Sequence, residues 1–324
     1  MADQDQVRRE ALTERTVLDP PLRRPSIGPD DLVLGEVHGD SMLRRLRHAA
    51  AGPFRAVEDV QALTENGRWI QHPVTTGRRI AVTGIRGGAG KSTVTTLIAT
   101  AFARYRQDRV LALDLDPEFG SLPLRLGIRA SSSTTGLTKL EVGTASFEEI
   151  EPQLERMGER LWALPGPREA LGRGRLDAAA YRSKGVPLSR FFGVTIADCG
   201  AGIRTDLHQA VLSGTHAQVL VTPATQEGTA SARSALDWLH RGPMHDLVRR
   251  TIVVFTVHSR PGSRAFDLAG ARAALRDAGV ETVRLGYDDH LAVGTTIDPD
   301  RLGYSTRVSA IDLAAAALRA ALRP

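Results

Sequence analysis

The chain has 324 residues, of which 42% are hydrophobic and 24% are charged, as is usual for a globular protein in water. No apolar run reaches the length of a membrane span, and the polar first fifteen residues contain no signal-peptide core. The single cysteine, Cys199, excludes an internal disulfide. We therefore expect a protein of the reducing cytoplasm. The formal net charge of +5 permits nucleic acid or anionic lipid as a partner but requires neither.

The chain begins with a polar stretch that we interpret as an N-terminal extension, residues 1–77. Residues 1–30 are charged, contain four prolines and show no apolar periodicity, which predicts disorder. Two short helices are predicted over residues 42–50 and 56–63. The first is basic and amphipathic, so we expect it to dock on the following domain or on a partner, with membrane contact weak or indirect.

A glycine-rich loop follows the first predicted strand. Residues 80–83 form a β-branched apolar run, and a helical pattern begins at Val94. This strand, loop and helix are typical of a phosphate-binding P-loop, in which glycines let several backbone N–H groups point at one anion. Lys91 can reach the β- and γ-phosphates, and the Ser92 hydroxyl can hold Mg²⁺. The alternative is a glycine-rich turn with a chance Gly-Lys-Ser, which is disfavoured because only three of the 42 basic residues are lysine. The predicted phosphate-binding residues are Gly87, Gly88, Ala89, Gly90, Lys91, Ser92 and Thr93.

Two later apolar runs end in carboxylates. The run at residues 110–115 contains Asp114 near its end and is followed by Asp116. The run at residues 194–197 is followed by Asp198. In an open parallel sheet, ligands bind at the carboxyl ends of the strands. We predict an α/β, doubly wound, mostly parallel sheet with helices on both faces for residues 78–324. Further predicted strands lie near residues 161–164, 218–222 and 251–257, and a closing helix spans 309–322.

Together these motifs resemble the MinD/ParA family of P-loop ATPases. The loop Arg-Gly-Gly-Ala-Gly-Lys-Ser resembles the family's deviant Walker A sequence, and Asp-Cys-Gly-Ala-Gly-Ile, from Asp198 on, resembles its Walker B and switch II segment. The segment Gly-Tyr-Asp-Asp-His-Leu-Ala at 286–292 is similar to one in actinobacterial MinD/ParA-like proteins, including those near type VII secretion genes. Four departures are visible: Arg86 replaces a signature lysine, Gly200 and Gly286 each replace a proline, and an adenine-reading asparagine is absent after residue 256.

The resemblance implies a role for each matching residue. Arg86 is expected to neutralise charge on the partner subunit's nucleotide. Asp116 is expected to orient the attacking water and to support Mg²⁺, which Asp198 holds together with Ser92. The resemblance also implies that the Gly202 N–H senses the γ-phosphate and that Asp288 accepts a hydrogen bond from the nucleotide.

The implied function is a cytoplasmic, Mg²⁺-dependent ATPase that acts as a molecular switch, with Arg86, Lys91 and Asp116 as catalytic residues. It would form an ATP-dependent homodimer, turn over slowly and be stimulated by an unidentified protein of a positioning, partition or secretion system. Two alternatives stay open. One is a ParA-type partition ATPase that binds DNA without sequence preference. The other is a nucleotide-binding adaptor of a secretion machine with little hydrolysis. Peripheral association with membrane or nucleoid accompanies these alternatives.

Overall fold

A computed structural model describes residues 53–117, 120–128, 141–166, 177–260 and 266–323. For residues 53–60 it describes the backbone. The predicted disorder of residues 1–30 and the predicted helix over 42–50 lie outside the described residues. Among the described helices, none combines the length and apolarity needed to cross a membrane.

Eight strands of the described residues form one sheet. They are β1 Arg78–Gly84, β2 Val110–Leu115, β3 Glu155–Arg156, β4 Leu161–Leu164, β5 Val194–Ala201, β6 Ala217–Pro223, β7 Thr251–Thr256 and β8 Glu281–Leu285. Their order across the sheet is β3-β4-β2-β5-β1-β6-β7-β8, and the pairings are parallel except that of β3 with β4. The prediction of a mostly parallel sheet is therefore confirmed.

Helices cover both faces of this sheet, because alternate strand residues point to opposite sides. Ile80 and Val82 of β1 pack in one apolar cluster with α2 and α6, whereas Ala81 packs in another with α3. The longer described helices are α1 Pro53–Ile70, α2 Lys91–Tyr105, α3 Asp206–Ser213, α4 Gln226–Arg241, α5 Leu268–Asp277 and α6 Tyr304–Ala321. Shorter helical segments are Leu122–Leu126, Phe147–Ile150, Glu151–Gln153, Ala178–Ala180, Tyr181–Gly185, Val186–Leu188, Ser189–Phe191, His245–Arg250, Asp289–Val293 and Pro299–Arg301.

Helix α1 is longer than the helix predicted over residues 56–63. It packs against α6, and Asn66 Nδ2 donates to Asp312 Oδ1 at 2.6 Å. At its C-terminal end Ile70 is fully buried, and its carbonyl accepts a 2.5 Å hydrogen bond from Arg106 Nη1. These contacts come from residues far along the chain, so local periodicity could not predict the true ends of α1. The helix therefore packs on the α/β domain although it precedes the boundary predicted at residue 77.

The register of the central strands brings their acidic ends together. Asp114 of β2 lies beside Asp198 of β5, and Asp198 in turn lies beside Val82, two residues before the end of β1. Neighbouring strands are about 4.8 Å apart, so the ends of β2, β5 and β1 form one compact group. The P-loop leaves the sheet at this edge.

Candidate functional site

The loop between β1 and α2 requires glycine at two positions. Gly88 and Gly90 have φ angles of 73° and 92°, in the left-handed region that other residues rarely adopt. A Cβ on Gly90 would also lie 3.4 Å from Thr256 Cγ2. Since α2 begins at Lys91, its first free N–H groups and its positive dipole end lie at this loop. The local geometry is therefore that of an anion cradle.

Lys91 closes this cradle. Its side chain is 8% exposed, and its Nζ donates to the Arg86 carbonyl at 3.4 Å. The aliphatic part crosses Gly84, where an added Cβ would lie 3.3 Å from Lys91 Cγ and Cδ. A long hydrogen bond to a neutral carbonyl is one that a phosphate oxygen could replace with a stronger, charge-assisted bond.

Asp198 and Ser92, the two residues that the resemblance assigns to Mg²⁺, contact each other beneath the loop. Asp198 is 1% exposed, and Thr95 Oγ1 donates to its Oδ1 at 3.1 Å. Burial is the main reason that its pKa is raised to about 7. The hydrogen bond from Ser92 opposes this shift, and the charge of Asp114 adds to it. A cation bound here would favour the ionised carboxylate, so the donor set fits Mg²⁺.

The described residues contain no group of three His, Cys, Asp or Glu side chains that could hold a metal ion. A hydroxyl, one or two carboxylates and water suit Mg²⁺, which keeps several waters and commonly shares its shell with phosphates.

The other two acidic residues take different positions. Asp114 is buried, and its Oδ1 accepts a 3.0 Å hydrogen bond from the Asp116 N–H, so it shapes the turn after β2. Asp116 is partly exposed and lies in the cavity wall. A Cβ at Gly200 would lie 3.4 Å from Asp116 Oδ1 and 3.2 Å from Pro117 Cδ. The absence of a side chain at Gly200 thus lets the two segments that follow β2 and β5 approach each other.

Gly202 is held close to the P-loop strand. Its φ is 95°, and its N–H donates to the Gly84 carbonyl at 3.0 Å. The N–H that the resemblance assigns to the γ-phosphate is therefore engaged with backbone in this structure. The nearby Cys199 is buried and packed, and burial raises the pKa of its thiol. A buried neutral thiol packs as a small apolar side chain.

His208 is a site residue that sequence reasoning missed. It lines the cavity, with Nε2 3.3 Å from the Gly200 carbonyl and Nδ1 2.7 Å from Thr205 Oγ1. Since a carbonyl only accepts, Nε2 carries the proton, and Nδ1 accepts from the hydroxyl. Burial lowers the pKa of His208, consistent with a neutral ring. No motif singles out this histidine, because only the turn between β5 and α3 brings it under Gly200.

Arg86 turns away from the loop. Its guanidinium pairs with Glu227 in the first turn of α4, and Nε lies 3.5 Å from Ser231 Oγ. Both partners of this ion pair are exposed. Within one copy of the chain, the arginine at the signature position therefore lies on α4 rather than over the loop.

The far wall of the cavity is built by the segments after β7 and β8. Thr256 Oγ1 donates to the P-loop carbonyl of Ala89 at 2.9 Å, and His258 Nε2 lies 2.8 Å from the same hydroxyl. Asp288 is 7% exposed, and its carboxylate accepts backbone N–H groups of His290, Leu291 and Gly303 at 2.9, 3.2 and 2.9 Å. These three bonds occupy the oxygens that the sequence assigned to the nucleotide. Asp288 holds the loop that forms the wall.

All these segments enclose one cavity of about 1090 Å³. Ligand pockets are commonly about 300–1,000 Å³, so a nucleoside triphosphate can be accommodated. The predicted residues in its wall are Gly87, Gly88, Gly90, Lys91, Ser92, Thr93, Asp116 and Asp288. Asp198 lies buried directly behind this wall.

Part of the chain is similar to a known family. Residues 80–171 match the family described as the CobQ/CobB/MinD/ParA nucleotide binding domain. The resemblance inferred from the motifs is thereby confirmed.

One curated relative is the ESX-1 secretion-associated protein EspI of Mycobacterium tuberculosis, in strains CDC 1551 / Oshkosh and H37Rv. The two sequences are 34% identical over 241 residues, which is 74% of this chain and 36% of EspI. The chain therefore spans about a third of the length of this relative.

Solved structures show the same fold. A ParA family ATPase from Chlorobium tepidum TLS matches with a TM-score of 0.61 and 16% identity, over 74% of this chain and 98% of that one. The septum site-determining protein MinD from Pyrococcus horikoshii OT3, complexed with Mg-ADP, matches with a TM-score of 0.56 and 19% identity, over 74% and 94%. The predicted P-loop NTPase fold is confirmed.

Proposed function

We propose that the protein binds ATP with Mg²⁺ and hydrolyses it slowly, and that ATP holds two copies together to control a partner protein. The observation that carries this proposal is the meeting of Lys91, Ser92 and Asp198 at one end of a cavity, with Asp116 in its wall. The P. horikoshii relative, a Mg-ADP complex, supports the choice of ligand.

Each residue has a distinct part in the proposed reaction. The loop N–H groups and Lys91 bind the phosphate oxygens, and Ser92 and Asp198, supported by Asp116, hold the metal ion. Bound Mg²⁺ neutralises negative charge on the phosphates. Asp116 is the carboxylate that faces the cavity, and it orients the attacking water.

The switch would involve the segment that follows β2 and the segment that follows β5, which approach each other at Gly200. The Asp116 N–H is fixed by Asp114, and the Gly202 N–H is fixed by Gly84. We infer that the bond from Gly202 to Gly84 is exchanged for a bond to phosphate when ATP binds. Loss of the phosphate would restore the original bond and release the second copy.

A second candidate is a nucleotide-binding adaptor with little hydrolysis. The ion pair between Arg86 and Glu227 favours it, because a basic residue held on α4 is not available to neutralise charge at a phosphate. The relative EspI is an ESX-1 secretion-associated protein, which supports a setting in secretion for this candidate.

The two candidates differ in how mass and phosphate release depend on nucleotide. Light scattering after size-exclusion chromatography would measure the mass of the protein in Mg²⁺ with ATP, with ADP and without nucleotide. We expect a dimer only in the sample that contains ATP. In Asp116→Ala the dimer should persist longer, because hydrolysis is slowed, and phosphate release should fall at least tenfold. Asp237→Ala, on an exposed face of α4, is the matched control.

A protein that binds ATP but keeps one mass and releases no phosphate would be the adaptor. A protein with no affinity for ATP would refute both candidates.

A further inference from the structure

Arg125 is a cavity residue that neither the motifs nor the proposed mechanism uses. It lies on the short helix Leu122–Leu126, which follows the Asp116 segment. Its side chain enters the cavity wall beside Leu291 and Ala292 of the loop after β8. The guanidinium therefore lies between two segments that belong to opposite sides of the site.

The donors of this guanidinium are incompletely used. Nη1 approaches the carbonyls of Leu291 and Thr295 at 3.5 and 3.4 Å, longer than the usual 2.7–3.2 Å or so of an N–H···O bond. Nε is buried and has no hydrogen-bond partner. Among the ion pairs of the described residues, none includes Arg125.

Leaving the buried Nε of this half-buried guanidinium without an acceptor is unfavourable. A buried donor without a hydrogen bond destabilises the fold, and more so when it belongs to a charged group. Burial also lowers the pKa of Arg125, a direction opposite to that produced by a carboxylate partner. A ligand that brings an anionic oxygen to this wall would supply the missing acceptor.

The position of Arg125 is fixed by backbone bonds. Its carbonyl accepts from the Ile297 N–H at 2.9 Å, and the adjacent Leu124 carbonyl accepts from Thr296 Oγ1 at 3.2 Å. The titratable neighbour on the facing loop, His290, is buried with a lowered pKa and supplies no negative charge. The nearby Asp288 carboxylate is occupied by three backbone N–H groups.

We propose that Arg125 is a ligand-binding residue that contacts the phosphate of the bound nucleotide nearest the sugar, the α-phosphate. This assignment rests on the proposed function, since it requires a nucleotide in the cavity. Lys91 and the loop hold the distal phosphates, and base and sugar are neutral. The α-phosphate is therefore the anion available on the sugar side. Through this contact, a bound nucleotide would restrain both residues 122–127 and the loop of residues 294–297.

Affinities for a ligand series test this assignment. Calorimetry or competition with a fluorescent nucleotide would compare ATP, ADP, AMP and adenosine on wild type, Arg125→Gln and Arg125→Lys. We expect Arg125→Gln to weaken ATP, ADP and AMP by the same factor, about tenfold for one charge-assisted contact, and to leave adenosine unchanged. Arg125→Lys should recover part of the loss. Arg233→Gln, on exposed α4, should bind like wild type.

Three results would overturn it. Unchanged nucleotide affinity in Arg125→Gln, with or without a lower melting temperature, would make Arg125 structural. An equal loss for adenosine would move the contact to the base or sugar. A wild type that binds none of the four ligands would fail the proposed function itself.

Hydrogen exchange on the wild-type chain gives a measurement that needs no variant. AMP should protect the amides of residues 122–127 and 294–297, whereas adenosine should not. Protection by adenosine, or none by AMP, would contradict the assignment.

Discussion

The two edges of the sheet carry opposite charges for different purposes. At the carboxyl edge, Asp114, Asp116 and Asp198 gather around the P-loop. At the amino edge, arginines at or just before the starts of strands donate to backbone carbonyls, as Arg79 Nε does to Gly214 at 2.6 Å and Arg250 Nη1 does to His216 at 3.2 Å. The proposed ligand site lies at the first edge, whereas basic side chains at the second join loops to the sheet. Ligand binding and stability should therefore respond to different substitutions.

The largest effect is expected at the carboxyl edge, for Lys91→Ala. Removing the buried ammonium removes the charge-assisted contact to phosphate, so ATP affinity should fall at least about 100-fold. The melting temperature should change less than the affinity, because the hydrogen bond that the Lys91 ammonium donates to the Arg86 carbonyl is long. Calorimetric titration with ATP and Mg²⁺ measures the first effect and thermal unfolding the second.

Lys184→Ala is the matched control, since it is one of only three lysines and lies outside the cavity wall. Equal losses of ATP affinity in Lys91→Ala and Lys184→Ala would contradict the assignment of ligand binding to the carboxyl edge.

Asp288→Ala should reduce stability more than ligand binding, although Asp288 lines the site at the carboxyl edge. The reason is that its carboxylate accepts hydrogen bonds from the backbone. Three N–H groups lose their acceptor, so the free energy of unfolding should fall by about 2 kcal/mol. That corresponds to a melting temperature lower by about 4–8 °C for a domain of this size. Binding of ATP at saturating concentration should survive, because the loop re-forms around the ligand.

Asp289→Ala is the control, since Asp289 makes only an exposed ion pair with Arg260. A large loss of affinity with unchanged stability would instead assign the Asp288 carboxylate to the nucleotide.

The amino edge predicts a pH dependence centred on His216. Burial is the first cause that lowers its pKa to about 4, and the charges of Arg79, Arg78 and Arg250 add to it. Nδ1 also accepts the Arg79 N–H at 3.0 Å, which requires the neutral ring. The unfolded chain binds a proton near pH 6.5 and the folded chain only near 4, so stability falls as pH drops between these values.

The expected loss is about 1–2 kcal/mol, roughly half of what the shift alone implies, because the ring is partly exposed. Chemical denaturation at a series of pH values from 7 to 4 gives the free energy of unfolding at each pH. This free energy should fall less steeply with decreasing pH in His216→Gln than in wild type. His245→Gln, at an exposed histidine, should keep the wild-type slope. An unchanged slope in His216→Gln would assign the pH dependence to other groups.

The smallest effect is expected from Glu227→Gln. An exposed ion pair contributes about 0.2–1 kcal/mol, so freeing Arg86 should favour the ATP-bound dimer by at most about fivefold. Sedimentation velocity with ATP measures the ratio of dimer to monomer, and Asp237→Ala serves as the control on the same helix. A decrease in dimer would mean that Glu227 itself belongs to the interface between copies.

Much of the site could be predicted because its residues are close in sequence or lie at strand ends. The P-loop residues fall within one eight-residue segment, and the phosphate cradle is a local property of that segment. The P-loop motif and the resemblance assigned Ser92 and Asp198 to one Mg²⁺ ion. The structure places them in contact.

The residues that were missed or redirected depend on distant partners. Arg125 meets Thr295, which lies 170 positions away, and Arg86 meets Glu227 across 141 positions. Asp288 is engaged by Gly303 in a loop with no recognisable motif. Periodicity and motif spacing contain no information on such pairs, because each side chain has several rotamers and the neighbouring elements select one.

From the sequence alone one could read the type of domain, the mostly parallel sheet and the chemistry of the phosphate end. These follow from backbone requirements, glycine at positive φ and carboxylates at strand ends, that a short segment satisfies by itself. The tertiary structure decided where the long charged side chains go: Arg86 onto α4, Asp288 into its own loop and Arg125 into the cavity wall. Arg86 meets a counter-charge and Asp288 meets backbone donors, whereas Arg125 is placed by the backbone bonds of its helix, and only the folded chain brings these neighbours within reach.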